Sequence, residues 1–159
     1  MTGLRTTQIT PDKAQETQQI IAVAQSGTMA KVKKPRIDLF LEAHDSTEYY
    51  FDLKTAKPNM GDFVGFKRML MEWTAIRAAQ NPRAKVKTML AIPYNPYEPE
   101  PYARWTMLGL FDIENEVLVA DEFWNFLDGE NTYTDLLQVF EEVGIALRPE
   151  IDDRFSKFK

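Results

Sequence analysis

Asp38, Asp52 and Lys54 are the residues whose types and spacing carry the most chemistry in this sequence. Asp52 and Lys54 stand in YYFDLKTAK, residues 49–57, among aromatic and apolar neighbours where a charge is expensive. In a β-strand side chains alternate, so residues i and i+2 leave the same face about 7 Å apart. Asp38 stands in RIDLFLEA, residues 36–43, where Ile37, Leu39 and Leu41 fall on one face and Arg36, Asp38, Phe40 and Glu42 on the other. The second segment divides the same way, Tyr49, Phe51 and Leu53 against Glu48, Tyr50, Asp52 and Lys54. The spacing predicts two half-polar strands joined as a hairpin through HDST. Their polar faces coincide only if paired residue numbers sum to an even value. Pairing 38 with 52 does this and leaves a three-residue turn, His44 to Ser46. Two neighbouring carboxylates repel unless a cation lies between them, and a hard divalent ion fits. Such an ion binds a phosphate oxygen and acidifies a bound water; a lysine beside it orients or deprotonates that water, or stabilises the phosphorane charge. On a solvent-facing sheet the same three residues would form only an ion pair. An acid two residues before a lysine is by itself a weak motif.

The elements that must position these residues are legible in outline. Thr10-Pro11 predicts an N-cap and first helical residue, Gly27 a stop, and Ala14, Ile20, Ile21 and Ala24 the stripe of a helix over 11–26. TMAKVKKPR, residues 28–36, is a basic connector. Gly61-Asp62 opens a helix over 62–80, with Phe63, Phe66, Leu70, Trp73 and Ile76 as its apolar stripe, and Asn81-Pro82 ends it. VKTMLAIP, residues 86–93, reads as a central strand because it is nearly all apolar. Residues 94–104 hold three prolines and form a loop; 105–112 reads as another strand. Helices follow at 121–128, 134–143 and 150–157. The fold class is mixed α/β, a central mixed sheet flanked by helices in one domain over 1–159, with 1–30 its N-terminal helix and connector. Trp73, Trp105 and Trp124 lie on apolar stripes and belong to the core.

Composition narrows the chemistry. The 159 residues contain no cysteine and one histidine, His44, which sits in the predicted turn and reads as solvent-exposed. Disulfides, thiolate zinc sites and cysteine nucleophiles are excluded, and a Ser-His triad or multi-histidine metal site is not expected. No run of about 18 apolar residues predicts a membrane span, and the N-terminus does not read as a secretory signal. The net charge of −5 divides unevenly, +5 over residues 1–90 and −10 over 91–159. A basic half can meet phosphates while an acidic half aids solubility, although such asymmetry also occurs without a function.

PRIDLFLE followed by YYFDLKTAKPN resembles the PD-(D/E)xK nuclease superfamily. The finer pattern resembles TdeIII-type type II restriction endonucleases through FDLKTAKPN, LAIPYNPYEPEPYARWT, GLFD, EFWNFL and TYTDLL, over about residues 30–159. The resemblance implies a restriction-endonuclease-like core and a Mg²⁺-dependent endodeoxyribonuclease, with Mn²⁺ as a possible substitute, that hydrolyses phosphodiester bonds in duplex DNA. By position Asp38 resembles the first acid of the motif, Asp52 the second and Lys54 its lysine; Arg36-Ile37 stands where the superfamily name has proline. Asp38 and Asp52 would bind the metal with the Leu53 carbonyl, and Lys54 would position or activate the water. Glu16 and Glu42 are additional carboxylates, although a solvated helix glutamate is the plainer reading of Glu16 and Glu42 lies nearer the turn. Lys57, Lys67 and Arg68 are candidate phosphate contacts or plain surface charge. Asn95 and Arg104, in the proline-tyrosine loop, are candidate readers of base edges, unless that loop is only a rigid surface element. A symmetric cut favours a homodimer, and a restriction enzyme implies a cytoplasmic location and a companion methyltransferase at the same site. The alternative is a catalytically inactive or truncated nuclease-fold module that binds DNA or serves as a scaffold.

Overall fold

The computed structural model describes residues 10–26, 35–57, 61–102 and 107–157. Its elements are α1 (Lys13–Ala24), β1 (Leu39–Glu42), β2 (Thr47–Leu53), α2 (Asp62–Gln80), β3 (Lys85–Ile92), a short α3 (Ile113–Glu116), β4 (Val117–Val119), α4 (Asp121–Asp128) and α5 (Thr132–Ser156). They fall into two compact units, one ending at Val119 and the other beginning at Ala120. The fold is mixed α/β, as expected, with one four-stranded sheet in the order β1-β2-β3-β4.

The β1–β2 hairpin has the expected register. Leu39 pairs with Phe51 and Glu42 with Glu48, so paired numbers sum to 90. The Ala43 amide donates to the Thr47 carbonyl at 2.9 Å, closing a turn of residues 44–46 in which Ser46 adopts φ +61°. Asp45 fixes the start of β2 by accepting from the Thr47 amide and hydroxyl at 3.0 and 2.9 Å. The expectation of half-polar strands needs correction for β2. Tyr50, Phe51 and Asp52 are all buried, because β2 is an interior strand with both faces covered. It pairs antiparallel with β1 and parallel with β3, which joins it through α2, the kind of crossover that parallel pairing requires.

α2 runs from Asp62 to Gln80, the expected bounds. Asp62 and Arg77 complement the helix dipole at its two ends. It stops at Asn81, whose extended backbone (φ −145°) is the conformation imposed before Pro82. Phe63, Leu70 and Trp73 are buried, and Trp73 meets Tyr50 edge-on with ring centroids 6.3 Å apart. At the far end of this packing Arg77 grips Glu48 with Nε at 2.8 Å and Nη2 at 2.6 Å, while the Tyr50 hydroxyl donates to the same carboxylate at 2.6 Å. Burial, with that carboxylate alongside, pushes the Tyr50 phenol up to about 12. β3 is solvated at Lys85 and Lys87 and buried from Thr88 to Ile92, as its central place requires.

Several expectations are corrected. α1 starts at Lys13, not at Pro11, because Asp12 is the N-cap and accepts from the Gln15 amide at 2.9 Å; Gly27 lies outside the described residues. Residues 107–110 are turn rather than strand, and Trp105 lies outside the described residues. The fourth strand is Val117–Val119, parallel to β3. In the second unit the two predicted C-terminal helices are one, α5, with Pro149 inside it. Proline removes one amide donor, but the turns on either side close their own bonds and the helix continues. α4 keeps its expected bounds and is followed by Gly129 and Asn131 at φ +94° and +74°. Trp73 is a core residue as expected, and Trp124 is half-buried.

Candidate active site

The hairpin brings Asp38, Asp52, Leu53 and Lys54 together. Just before β1, Asp38 lies in a bend; its amide donates to the Phe51 carbonyl at 3.2 Å although Phe51 is the ladder partner of Leu39, so the paired register stops at Leu39 and Asp38 is held at its end. The Leu53 amide donates to Asp38 Oδ2 at 3.1 Å, so one carboxylate is tied to the backbone that carries the other. On the other side the Lys54 amide donates to the Ala91 carbonyl at 2.9 Å. Lys54 is thereby held by the sheet although its side chain is mobile by nature. Its Nζ lies 2.7 Å from Asp52 Oδ1.

Asp52 is the unusual member. It is 4 % exposed, and its Oδ2 is a buried oxygen without a hydrogen-bond partner among the described residues. A buried carboxylate oxygen left unmet is costly. Burial raises the Asp52 pKa, Lys54 opposes the rise, and Asp38 adds to it. The carboxylate is therefore under electrostatic tension that one lysine does not relieve. Removing the charge should release it. Asp52→Asn is expected to melt at a higher temperature than wild type at neutral pH in chelator. The sign follows from linkage: a carboxyl whose folded pKa is raised costs stability as pH climbs from the ordinary aspartate value through the folded one. The gain should therefore be absent well below pH 3.8 and present at neutral pH. A variant less stable than wild type at neutral pH would refute the tension.

The donor set fits a divalent ion of the magnesium kind. Two carboxylates, Asp52 on β2 and Asp38 in the bend before β1, one with an unused buried oxygen, are hard ligands, and Mg²⁺ takes one or two carboxylates and keeps several waters. No group of three or more His, Cys, Asp or Glu suited to a metal exists among the described residues, so protein carboxylates alone would not fill the shell.

The other candidates divide. Glu42 is exposed, pairs with Glu48, and lies four residues, about 13 Å, along β1 from Asp38. His44 is exposed in its turn as expected. Lys57 is exposed past the end of β2, with Nζ 5.1 Å from the Tyr97 ring centroid. Arg68 is exposed on α2, 3.5 Å from Glu72. Asn95 braces its loop: its Nδ2 donates to the Glu100 carbonyl at 2.8 Å and its Oδ1 accepts from the Tyr97 amide at 3.0 Å. Arg104 lies outside the described residues. The loop reaches the site differently, through the Tyr102 hydroxyl, which donates to the Ala56 carbonyl at 2.9 Å, two residues past Lys54.

Lys67 and Glu16 need the largest correction. Lys67 is fully buried, not at a surface that meets phosphate. It pairs with Glu16 of α1 and, at 2.5 Å, with Glu116 of α3. Glu16 is thus not a solvated helix glutamate. Glu116 also binds Lys13 at 3.0 Å and the Asp112 amide at 3.0 Å, and Lys13 Nζ donates to Thr88 at 2.9 Å. Burial pulls the Lys13 amine below its usual range, with Glu116 offsetting part of that. Two lysines and two glutamates so form a neutral knot joining α1, α2, α3 and β3. Lys13, Glu116 and Tyr102 escaped the sequence reading. A signal for Lys67 was present: Phe63, Lys67, Leu70 and Thr74 fall on one helical stripe, and all four are buried.

The sequence profile of the HinfI type II restriction endonucleases matches residues 1–144. The chain belongs to this HinfI family of type II restriction endonucleases. Among relatives of this HinfI-family chain are the type II restriction enzymes HgiEI and HgiBI of Herpetosiphon aurantiacus. HgiEI is 31% identical over 147 residues, covering 91% of this chain and 53% of the relative; HgiBI is 30% identical over the same shares. The type II restriction enzyme MjaII of Methanocaldococcus jannaschii is 30% identical over 75% of this chain and 34% of its own. This chain spans about half the length of the Herpetosiphon relatives it matches. No described helix is long and apolar enough to cross a membrane.

Proposed function

We propose that this chain carries the catalytic core of a Mg²⁺-dependent, site-specific endodeoxyribonuclease that hydrolyses phosphodiester bonds in duplex DNA by PD-(D/E)xK chemistry, as its likeness to TdeIII-type enzymes implies. The observation that supports this best is the buried, unpartnered Asp52 Oδ2 beside Asp38, with Lys54 on the other oxygen of the same carboxylate. Asp38 and Asp52, with the Leu53 carbonyl, would hold the ion; Mn²⁺ would substitute. When bound, Mg²⁺ supplies Lewis-acid polarisation of the scissile phosphate and lowers the pKa of water. Lys54 orients the attacking water and meets the negative charge that develops on phosphorus. Asp38, anchored through the Leu53 amide, keeps the two carboxylates in register. The hairpin thus delivers all three groups on one rigid edge, which is the positioning such hydrolysis needs.

Lys57 and Arg68, both exposed, are the phosphate contacts this reading retains, with Arg104 as a base reader. A palindromic target makes a homodimer the natural assembly, one active site per strand. Such an enzyme works in the cytoplasm beside a methyltransferase that protects the same site.

The deciding experiment is incubation with unmethylated plasmid or phage DNA and Mg²⁺. Discrete fragments support the reading. A smear indicates a nonspecific nuclease, and intact DNA supports a non-catalytic binding or scaffold module. Affinity in Ca²⁺ should fall steeply as salt rises, by about 0.9 in log–log slope per phosphate met. Lys57→Ala and Arg68→Ala should each lower that slope by about one; an affinity indifferent to salt would argue against a phosphate-binding surface.

A further inference from the structure

We propose that Phe66 is a positioning residue for Lys54, holding its ammonium over the site by a cation–π contact while a divalent ion occupies the Asp52 carboxylate; this rests on the nuclease reading above. Lys54 Nζ has two holders, Asp52 Oδ1 at 2.7 Å and the Phe66 ring, whose centroid is 4.4 Å away. They fare differently when a metal arrives. A dication on Asp52 repels the ammonium and draws off the charge that held it. The ring offers no lone pair that a hard cation takes, so its attraction for Lys54 persists. A lysine has four rotatable bonds and swings away once its anchor is lost.

The ring itself is aimed. Phe63 meets Phe66 edge-on, with centroids 5.8 Å apart at 79°, and meets Phe111 edge-on at 6.2 Å and 81°. Phe63 is fully buried and Phe111 is 2 % exposed, so this chain of edge-to-face contacts fixes the plane that Phe66 presents. Phe66 is half-buried on the α2 face shared with Phe63, which left it reading as ordinary core from sequence.

The test uses Phe66→Leu, which keeps an apolar side chain but removes the π face, and Phe66→Tyr, which restores it. In metal-free protein with labelled lysine, the Lys54 ε-protons (assigned by their loss in Lys54→Arg) should lie upfield of ordinary lysines in wild type and Phe66→Tyr. They should return to the ordinary position in Phe66→Leu. Single-turnover cleavage with Mg²⁺ should fall about 3- to 30-fold in Phe66→Leu, with DNA affinity in Ca²⁺ unchanged within about twofold and the rate regained in Phe66→Tyr. Unshifted ε-protons in wild type, a wild-type rate in Phe66→Leu, or no recovery in Phe66→Tyr would overturn the proposal. The wild-type spectrum decides the contact even where Phe66→Leu does not fold. A folded wild-type chain that cuts no DNA would instead refute the nuclease reading, and the positioning role with it.

Discussion

Lys54→Ala should slow single-turnover cleavage by about 10²–10³-fold, the usual loss when a donor aimed at transition-state charge is removed, while DNA affinity changes little. Lys54 is the last residue held by the sheet: its amide donates to Ala91 and its ammonium touches Asp52. On the proposed mechanism a group held in that way would act on the reacting centre rather than on the bound duplex, so the loss should fall on rate rather than on affinity. Lys57 supplies the contrast. It stands three residues on, past Leu53 where β2 ends, exposed and beside Tyr97. Lys57→Ala should weaken binding while bound complexes react at nearly the wild-type rate. Quenched-flow cleavage at saturating enzyme separates the two. An inactive Lys57→Ala beside an active Lys54→Ala would overturn the assignment. Asp52→Ala should go further than Lys54→Ala and abolish cleavage, and a wild-type rate in that variant would remove the proposed metal site altogether.

Lys67→Met should cost about 3–5 kcal/mol in urea unfolding, the range for removing one partner of a buried ion pair. The lysine is fully buried between Glu16 and Glu116, themselves largely or wholly enclosed. Without it two carboxylates face each other in a site that excludes water, and Lys13, already bonded to Glu116 and Thr88, does not reach both. Against a total stability of about 5–15 kcal/mol for a domain, this is a large fraction of the whole. Lys67→Met combined with Glu116→Gln should recover a large part of the loss, since the unpaired charge rather than the lost contact carries most of the penalty. A single variant that loses less than about 1 kcal/mol would show that water reaches the knot.

The hairpin and α2 were legible because their constraints are local. Period-two alternation, an even sum of paired numbers and a short polar turn leave few registers to choose from, and the one found, with paired numbers summing to 90, is the expected one, although the ladder stops at Leu39 and leaves Asp38 in a bend before it. The Gly61-Asp62 start and Asn81-Pro82 stop similarly bound α2. What escaped depends on distant partners. Val117–Val119 is too short for periodicity to mark and becomes a strand only because β3 offers its edge. Trp105 to Asp112 has the composition of a strand, yet 107–110 turn and bury Met107 and Leu110 without a ladder. Lys67 carries the same lesson within the candidate chemistry. A basic residue near the proposed site suggests a phosphate contact, and only Glu16 and Glu116, 51 and 49 residues away, reveal a buried knot instead. The acid–acid–lysine group was legible as a juxtaposition, whereas the unpartnered oxygen of Asp52 depends on the helix and strand that enclose it.

The hairpin's shortness also fixes when the site comes under tension. A turn of three residues closes in about microseconds, so Asp38 and Asp52 can meet while both are still hydrated and their repulsion is screened. The parallel β2–β3 ladder needs α2 in place first, and the links to Glu116 span much of the chain, so these contacts belong to the slow part of folding. Only then does Asp52 lose its water. Its repulsion therefore enters with these long-range contacts and not with the hairpin, which forms while both carboxylates are still in water.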